Sequence, residues 1–268
     1  MMMPHKKTTA PTANNTVTPS PQALGPEKDL AGLMSDLIGC RRCERLVAWR
    51  ELVAEVKVKR FADDRYWGRP VPSLGDPNAR VLLVGLAPAA HGGNRTGRMF
   101  TGDRSGNWLY RALHKAGFAN QAESINLSDG LYLSDCYLSA VAHCAPPDNK
   151  LLPAEILNCR SYLTTELALL KNIQVVVALG KVAWDAILRE PRLALPKGQP
   201  KPKFGHGLVY ELQQGLTLIG SYHPSQQNTF TGRLTEPMFD QVFERARQVL
   251  NRNQTASAAQ WPDGSMNR

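Results

Sequence analysis

A chain of 268 residues, 43% of them hydrophobic, holds enough apolar material for one large domain or two small ones. No apolar run approaches the roughly 20 residues that a bilayer crossing needs, and the N-terminus lacks the apolar centre of a secretory signal, so a cytoplasmic protein without a membrane partner is expected. The net charge is +9; Lys6 and Lys7 at one end and Arg252, Arg268 and Asp263 at the other account for +3 of it, which leaves +6 on the body and favours a polyanionic partner. Five cysteines are too few for a disulfide scaffold at this length and read as metal ligands or buried apolar groups.

Residues 1–26 are rich in Thr, Pro, Asn and Ser without an apolar period, and read as a disordered tail. From Glu27, Leu30, Leu33, Met34 and Leu37 recur at helical spacing as far as Gly39. Cys40-Arg-Arg-Cys43 then marks the junction with a second helix through Leu46, Trp49, Val53 and Val56. Residues 59–80, with Arg60, Arg65, Arg69 and several prolines, read as a surface loop that either touches phosphates or covers the sheet edge. Val81 to Val84 is a wholly apolar run, the pattern of a strand buried on both faces. Six glycines from Gly85 to Gly106 follow, interleaved with His91, Asn94, Arg95, Arg98, Phe100 and Asp103, and read as a loop that surrounds a ligand. The glycines fit neither G-x-x-x-x-G-K-[ST] nor G-x-G-x-x-G, which leaves nucleotide-cofactor loops without support. Ser105 is the expected N-cap of the next helix, with Leu109, Ala112, Leu113 and Ala116 on its apolar face and Gly117 as its stop.

Further on, Gly130 to Cys144 reads as extended and ends in the proline loop Cys144-Ala-Pro-Pro-Asp-Asn149. Pro153 opens a helix that carries Cys159, Ile173 to Leu179 forms another apolar strand, and Gly180 leads into a helix with Trp184 and Ile187. Leu208 to Leu212 and Leu216 to Ile219 read as strands joined across Gln214-Gly215. After Ser221-Tyr-His223-Pro-Ser225 a last helix, capped by Thr235, buries Phe239, Val242, Phe243, Ala246 and Val249; residues 251–268 read as a second disordered tail. Strands alternating with helices predict one domain over residues 27–250, a three-layer α/β/α sandwich with a mainly parallel central sheet.

Cys40 and Cys43 form a C-x2-C pair and Cys144 and Cys159 a C-x14-C pair. Four thiolates can hold tetrahedral zinc or a cubane iron–sulfur cluster, and the loose second pair leans towards the cluster, with simple burial of Cys144 and Cys159 as the competing reading. Cys136 is assigned to packing. Three polar stretches follow strands: His91 to Asp103, Asp148-Asn149 and His223-Pro-Ser225. Brought to one cleft they suit a flat heterocycle, with Phe100 stacking on it, Asn149 matching a donor and an acceptor on its edge, and His223 donating to an oxygen that gains charge. Taken singly, His223 caps a strand, Phe100 fills core and Asp103 caps a helix.

GLAPAAHGGNRTGRMFTGDRSGNWL, the Cys-Ala-Pro-Pro-Asp-Asn-Lys segment and HPSQQNTFTGRLT resemble the motifs of the type 5 uracil-DNA glycosylases, the iron–sulfur members of that superfamily. The resemblance covers most of residues 35–250. It implies an α/β/α domain, a [4Fe-4S] cluster on Cys40, Cys43, Cys144 and Cys159, and monofunctional excision of uracil and related deaminated or oxidised bases from DNA, leaving an abasic site for base excision repair. It also brings out a departure: other uracil glycosylases carry Asp, Asn or Glu directly after the motif's first glycine, and here that position is Leu86. His223 and the N–H groups near Ala87 are then expected to stabilise the leaving base, Asp103 to orient water or the sugar cation, and Asn149 to read the base. Arg95, Phe230 and Arg233 are expected to meet DNA, the last two by filling the space that a flipped base vacates. The expected partner is double-stranded DNA with U opposite G favoured, single-stranded DNA being a further possibility, for a monomer that associates with the nucleoid when on DNA. Two other classes compete, a non-catalytic iron–sulfur or zinc protein that binds nucleic acid and a hydrolase of small phosphorylated or nucleoside substrates.

Overall fold

The computed structural model describes residues 29–259, and side chains as far as Thr255. Helices α1 (Leu30–Ile38) and α2 (Glu44–Val56) come first. Asp29 caps α1 by accepting from Gly32 N at 2.8 Å, and Leu33 and Leu37 bury its apolar period against Tyr162. The chain then forms β1 (Leu74–Gly75), β2 (Val81–Gly85), α3 (Gly93–Thr96), α4 (Arg104–Lys115), β3 (Cys136–Ala140), α5 (Pro153–Leu169), β4 (Val175–Leu179), α6 (Lys181–Ile187), β5 (Val209–Glu211), β6 (Thr217–Ser221), α7 (Gln226–Phe230) and α8 (Glu236–Ala259).

The sheet has the order β1-β3-β2-β4-β6-β5, with β3, β2, β4 and β6 parallel and the short edge strands antiparallel. Every residue of the four inner strands is buried, as their apolar runs require when both faces are covered. One face packs on residues of α4 and α8, including Leu109, Leu113, Phe239 and Phe243. The other packs on residues of α5 and α6, including Leu163, Leu167, Trp184 and Ile187. The chain steps one way from β2 to β3 and the other way from β3 to β4, so connections of one hand put α4 and α5 on opposite faces.

The three-layer architecture agrees with the sequence expectation, with four differences. Asp103, not Ser105, caps α4: its Oδ1 accepts from Gly106 N at 3.0 Å. Residues 59–80 are not all loop, since Leu74 and Gly75 pair with Leu138 and Tyr137; two residues are too few to show a period. Of the extended stretch from Gly130, only Cys136–Ala140 joins the sheet, and Cys136 is fully buried there. Finally, α8 continues to Ala259, so residues 251–259 are helical rather than tail. Nothing after Pro237 breaks that helix until Pro262, Ala256, Ala258 and Ala259 favour it, and Asn253 Nδ2 donates to Gln174 Oε1 at 3.0 Å. The expected tails at residues 1–26 and 260–268 lie outside the described residues. Among the described residues no helix is long and apolar enough to cross a membrane.

Candidate active site

The register aligns the strand ends. Gly85 lies opposite Ala140, and Leu179 opposite Ser221, so the segments that follow β2, β3, β4 and β6 leave from one edge. Val141 N and Ala142 N donate to Gly85 O and Leu86 O, both at 3.0 Å, which carries the pairing two residues past the strands. Because the connections diverge on either side of β2, a crevice opens at its carboxyl end, where ligands of such sheets bind.

Phe100 and His223 meet in that crevice. Their rings stack with centroids 5.6 Å apart and planes 29° from parallel. Phe100 takes φ +52°, and its ring lies over Gly85, where a Cβ would come within 2.9 Å of it. The glycine at the end of β2 is therefore the space the ring occupies. Arg98 holds the turn from behind: its guanidinium forms a buried pair with Asp129 and donates to Thr101 Oγ1 at 3.0 Å and Ser124 Oγ at 2.8 Å. Burial pushes the His223 pKa down to about 4, so the ring is neutral near pH 7, and Asn228 Nδ2 fixes its backbone by donating to His223 O at 2.8 Å.

Asp103 is more than a cap. Its Oδ1 is used on Gly106 N, but Oδ2 faces Gly92 so closely that a Cβ there would lie 2.3 Å from it. Burial raises its pKa, opposed by the N–H groups of Gly106 and Ser105 and by the charge of Arg95. Beside it, the N–H groups of Ala87 and Ala89 have no hydrogen-bond acceptor among the described residues, while Ala89 O accepts from Gly92 N and Asn94 N.

Other predicted residues fall differently. Arg95 pairs with Asp64 at 2.5 Å, donates to His91 O at 2.8 Å and Gly102 O at 3.1 Å, and lies over the Phe61 ring. These contacts make it a clamp inside the glycine loop and engage the guanidinium that was expected to meet DNA. Asn149 is exposed after a left-handed Asp148 (φ +54°) and is itself at φ +55°, with its amide free of any partner among the described residues. It leaves from the same edge through β3 and makes no hydrogen bond to Phe100 or His223 among the described residues. Phe230 is 69% exposed on α7. Arg104, which sequence reasoning passed over, lies 4.4 Å above the Phe230 ring and donates through Nε to Thr229 Oγ1 at 3.2 Å. Its place directly after Asp103 was the available signal, but the contact spans the fold. Arg233 lies 4.5 Å over the Tyr222 ring and has no carboxylate partner among the described residues. Leu86, Gly180, Tyr222, His223, Asn228 and Arg233 line a hollow of about 280 Å³, near the lower size limit for small-ligand sites. A second hollow of about 240 Å³ between α5 and α6 includes none of the predicted site residues.

Cys40, Cys43, Cys144 and Cys159 line one small hollow between α2, α5 and the end of β3. Among the described residues no three His, Cys, Asp or Glu side chains stand so as to hold one metal ion. Arg50 and His143 also line the hollow, and Arg50 Nε and His143 Nε2 are buried without a partner. Burial pushes the Cys144 thiol up to about 11, against the pull of Arg50.

A half-buried carboxylate, a neutral imidazole and a stacked ring at the switch point of a mainly parallel sheet define an α/β/α enzyme site. The chain belongs to the uracil DNA glycosylase superfamily, whose family model matches residues 72–247. It is 54% identical over 211 residues to a type-5 uracil-DNA glycosylase of Mycobacterium tuberculosis, covering 78% of each chain. Against those of Thermus thermophilus and Pyrobaculum aerophilum the identities are 48% and 45%, covering 82% and 78% of this chain and 98% and 88% of theirs. Similarity extends, at 27% identity over 65% of this chain and 81% of the relative, to a type-4 uracil-DNA glycosylase of Thermotoga maritima.

Proposed function

We propose that this chain is a monofunctional uracil-DNA glycosylase that hydrolyses the N-glycosidic bond of uracil, and of related deaminated or oxidised bases, flipped out of DNA. The observation that carries the reading is the Phe100–His223 pair beside Asp103 at the carboxyl ends of parallel strands. Bond cleavage leaves an electron pair on the base and an electron-poor sugar, so groups that meet the developing charges lower the barrier. Neutral His223 donates a hydrogen bond through its one ring N–H to the uracil oxygen, and the unclaimed N–H groups of Ala87 and Ala89 add to the same field. Asp103 carries the negative charge that favours the sugar cation and orients the water whose hydroxyl ends on C1′; the water's proton leaves with the base or to solvent. Leu86 brings no polar atom to that step, which concentrates the demand on Asp103. Asn149, with its amide free, is suited to read the base edge, and Phe100 to stack on it.

Phe230 and Arg233, exposed beside the site, fit the space a flipped base vacates. Flipping costs least from a mismatch, which favours U opposite G over U opposite A. Single-stranded uracil, which needs no unpairing, is a further substrate on the same argument. A monomer suffices, since one chain supplies the whole set, and the nucleoid of the cytoplasm is where such a substrate lies.

The four-cysteine hollow fits a [4Fe-4S] cluster better than zinc. A cubane takes one thiolate at each iron and so spreads its four ligands wider than one ion does, and its sulfides accept from donors such as Arg50 Nε, which otherwise has no partner. Bound there, the cluster would cross-link α2, α5 and the loop after β3; no step of base release passes through it.

The test is single-turnover incubation with duplexes carrying one U opposite G, followed by alkali. Cleavage that depends on alkali is expected. Intact strands after treatment with folded, iron-loaded protein would leave a non-catalytic DNA-binding module as the better reading.

A further inference from the structure

Arg50 is 2% exposed and lacks a well-placed carboxylate. The nearest, Glu51 Oε1, is 3.9 Å away and is engaged by Arg41. A buried cation without a close counter-charge is costly, so something in this part of the fold must offset it. Its guanidinium instead addresses the four-cysteine hollow: Nη1 donates to Cys144 Sγ at 2.8 Å, Nη2 to Cys40 O at 3.1 Å, and Nε has no partner. The residue's main chain points the other way. Asn94, fully buried in the glycine loop as the second residue of α3, donates through Nδ2 to Arg50 O at 3.1 Å. Asn94 N also bonds Ala89 O, and Gly92, two residues earlier, is the backbone against which Asp103 Oδ2 lies.

We propose that Arg50 is a positioning residue that joins the four-cysteine group to the glycine loop, so that filling of the hollow by an anionic cluster sets the order of the loop around Asp103. The proposal rests on the iron–sulfur reading above. Four thiolates and the cluster's sulfides supply the negative charge that the buried guanidinium lacks. With that charge in place Arg50 is pinned at its side chain, and its carbonyl presents a fixed acceptor to Asn94. Without it, an uncompensated cation draws the α2 segment towards water and the acceptor is lost. Asn94 then has no partner at either end of its amide, because its Oδ1 is already unpaired.

The experiment follows amide hydrogen exchange over residues 91–97 in the full chain, before and after iron is removed by oxidant and chelator, with visible absorption reporting the cluster. Loop exchange is expected to rise about tenfold or more on iron removal while β4 and β6 keep their protection. In iron-loaded Asn94→Ala the loop should already exchange at the raised rate with absorption unchanged, and iron removal should add little. Arg50→Lys, which keeps the charge but not the three-way reach, should loosen the loop in the loaded protein. Unchanged loop exchange after iron removal from the wild type overturns the proposal without recourse to any variant. So does wild-type protection in loaded Asn94→Ala. A protein that carries no iron yet releases uracil removes the cluster and this inference together and leaves the glycosylase reading standing.

Discussion

With its pKa pushed down to about 4 by burial, His223 adds little titration to activity above that pH, whereas Asp103, raised by burial, titrates above its ordinary value. The single-turnover rate should therefore climb with pH along an acid limb set by Asp103 and then level off. Asp103→Asn should abolish the limb and most of the rate, and a limb that persists in that variant would separate Asp103 from the chemistry. His223→Ala should lower the rate by about 10²–10³, the usual effect of removing one donor to a developing oxyanion, with duplex affinity little changed. Glu166 gives a different pH signature. It is fully buried, accepts from Ser139 Oγ at 2.5 Å, has no partner for Oε1, and is pushed up to about 7. Between the ordinary value of 4.5 and about 7 the folded protein holds a proton that the unfolded chain has released, so stability falls as pH rises through that window and is level above it. Urea unfolding of Glu166→Gln at pH 5 and pH 8 should lose this slope, with a gain at pH 8 of up to about 3 kcal/mol.

At the scale of elements, the site is a strand, a loop and a helix N-terminus from one stretch, faced by α7 from another. Arg104 on α4 and Phe230 on α7 bind the two together, yet Phe230 remains exposed. Phe230→Ala should preserve folding, since little of its ring is buried, and should weaken the fluorescence change of a flipped base analogue. An unaltered signal would remove Phe230 from the space that a flipped base vacates. Much of this stretch was legible beforehand: the apolar run of β2, the glycines, and Phe100 and Asp103 as candidates. The cap was legible only as a choice between two residues. Ser105 and Asp103 are both good caps, and only the turn at Phe100, held by Arg98 on Asp129, determines that the helix begins one residue after Asp103. The partners of Arg95 were hidden for a related reason, because a cation in a glycine loop looks like an anion contact until Asp64 and Phe61 are seen beside it.

For the whole molecule, the basic body and the exposed Arg233 argue for a salt-dependent DNA affinity. Each phosphate contact contributes about 0.9 to the slope of log affinity against log salt, so Arg233→Ala should flatten that slope by about one while saturated cleavage is retained. A slope unchanged in the variant would place Arg233 off the backbone. By itself the sequence determined the layers, the parallel inner strands and the family, and offered Phe100, Asp103, Asn149 and His223 as candidates, because periodicity and motif chemistry are local properties of a chain. Only the tertiary structure decided which of these meet. Phe100 stacks on His223 over Gly85, Asp103 Oδ2 lies against Gly92, and Arg50 turns a guanidinium to the cysteines while its carbonyl holds Asn94. Those contacts join residues far apart in the chain, and their distances follow from strand register and helix packing rather than from spacing along the sequence.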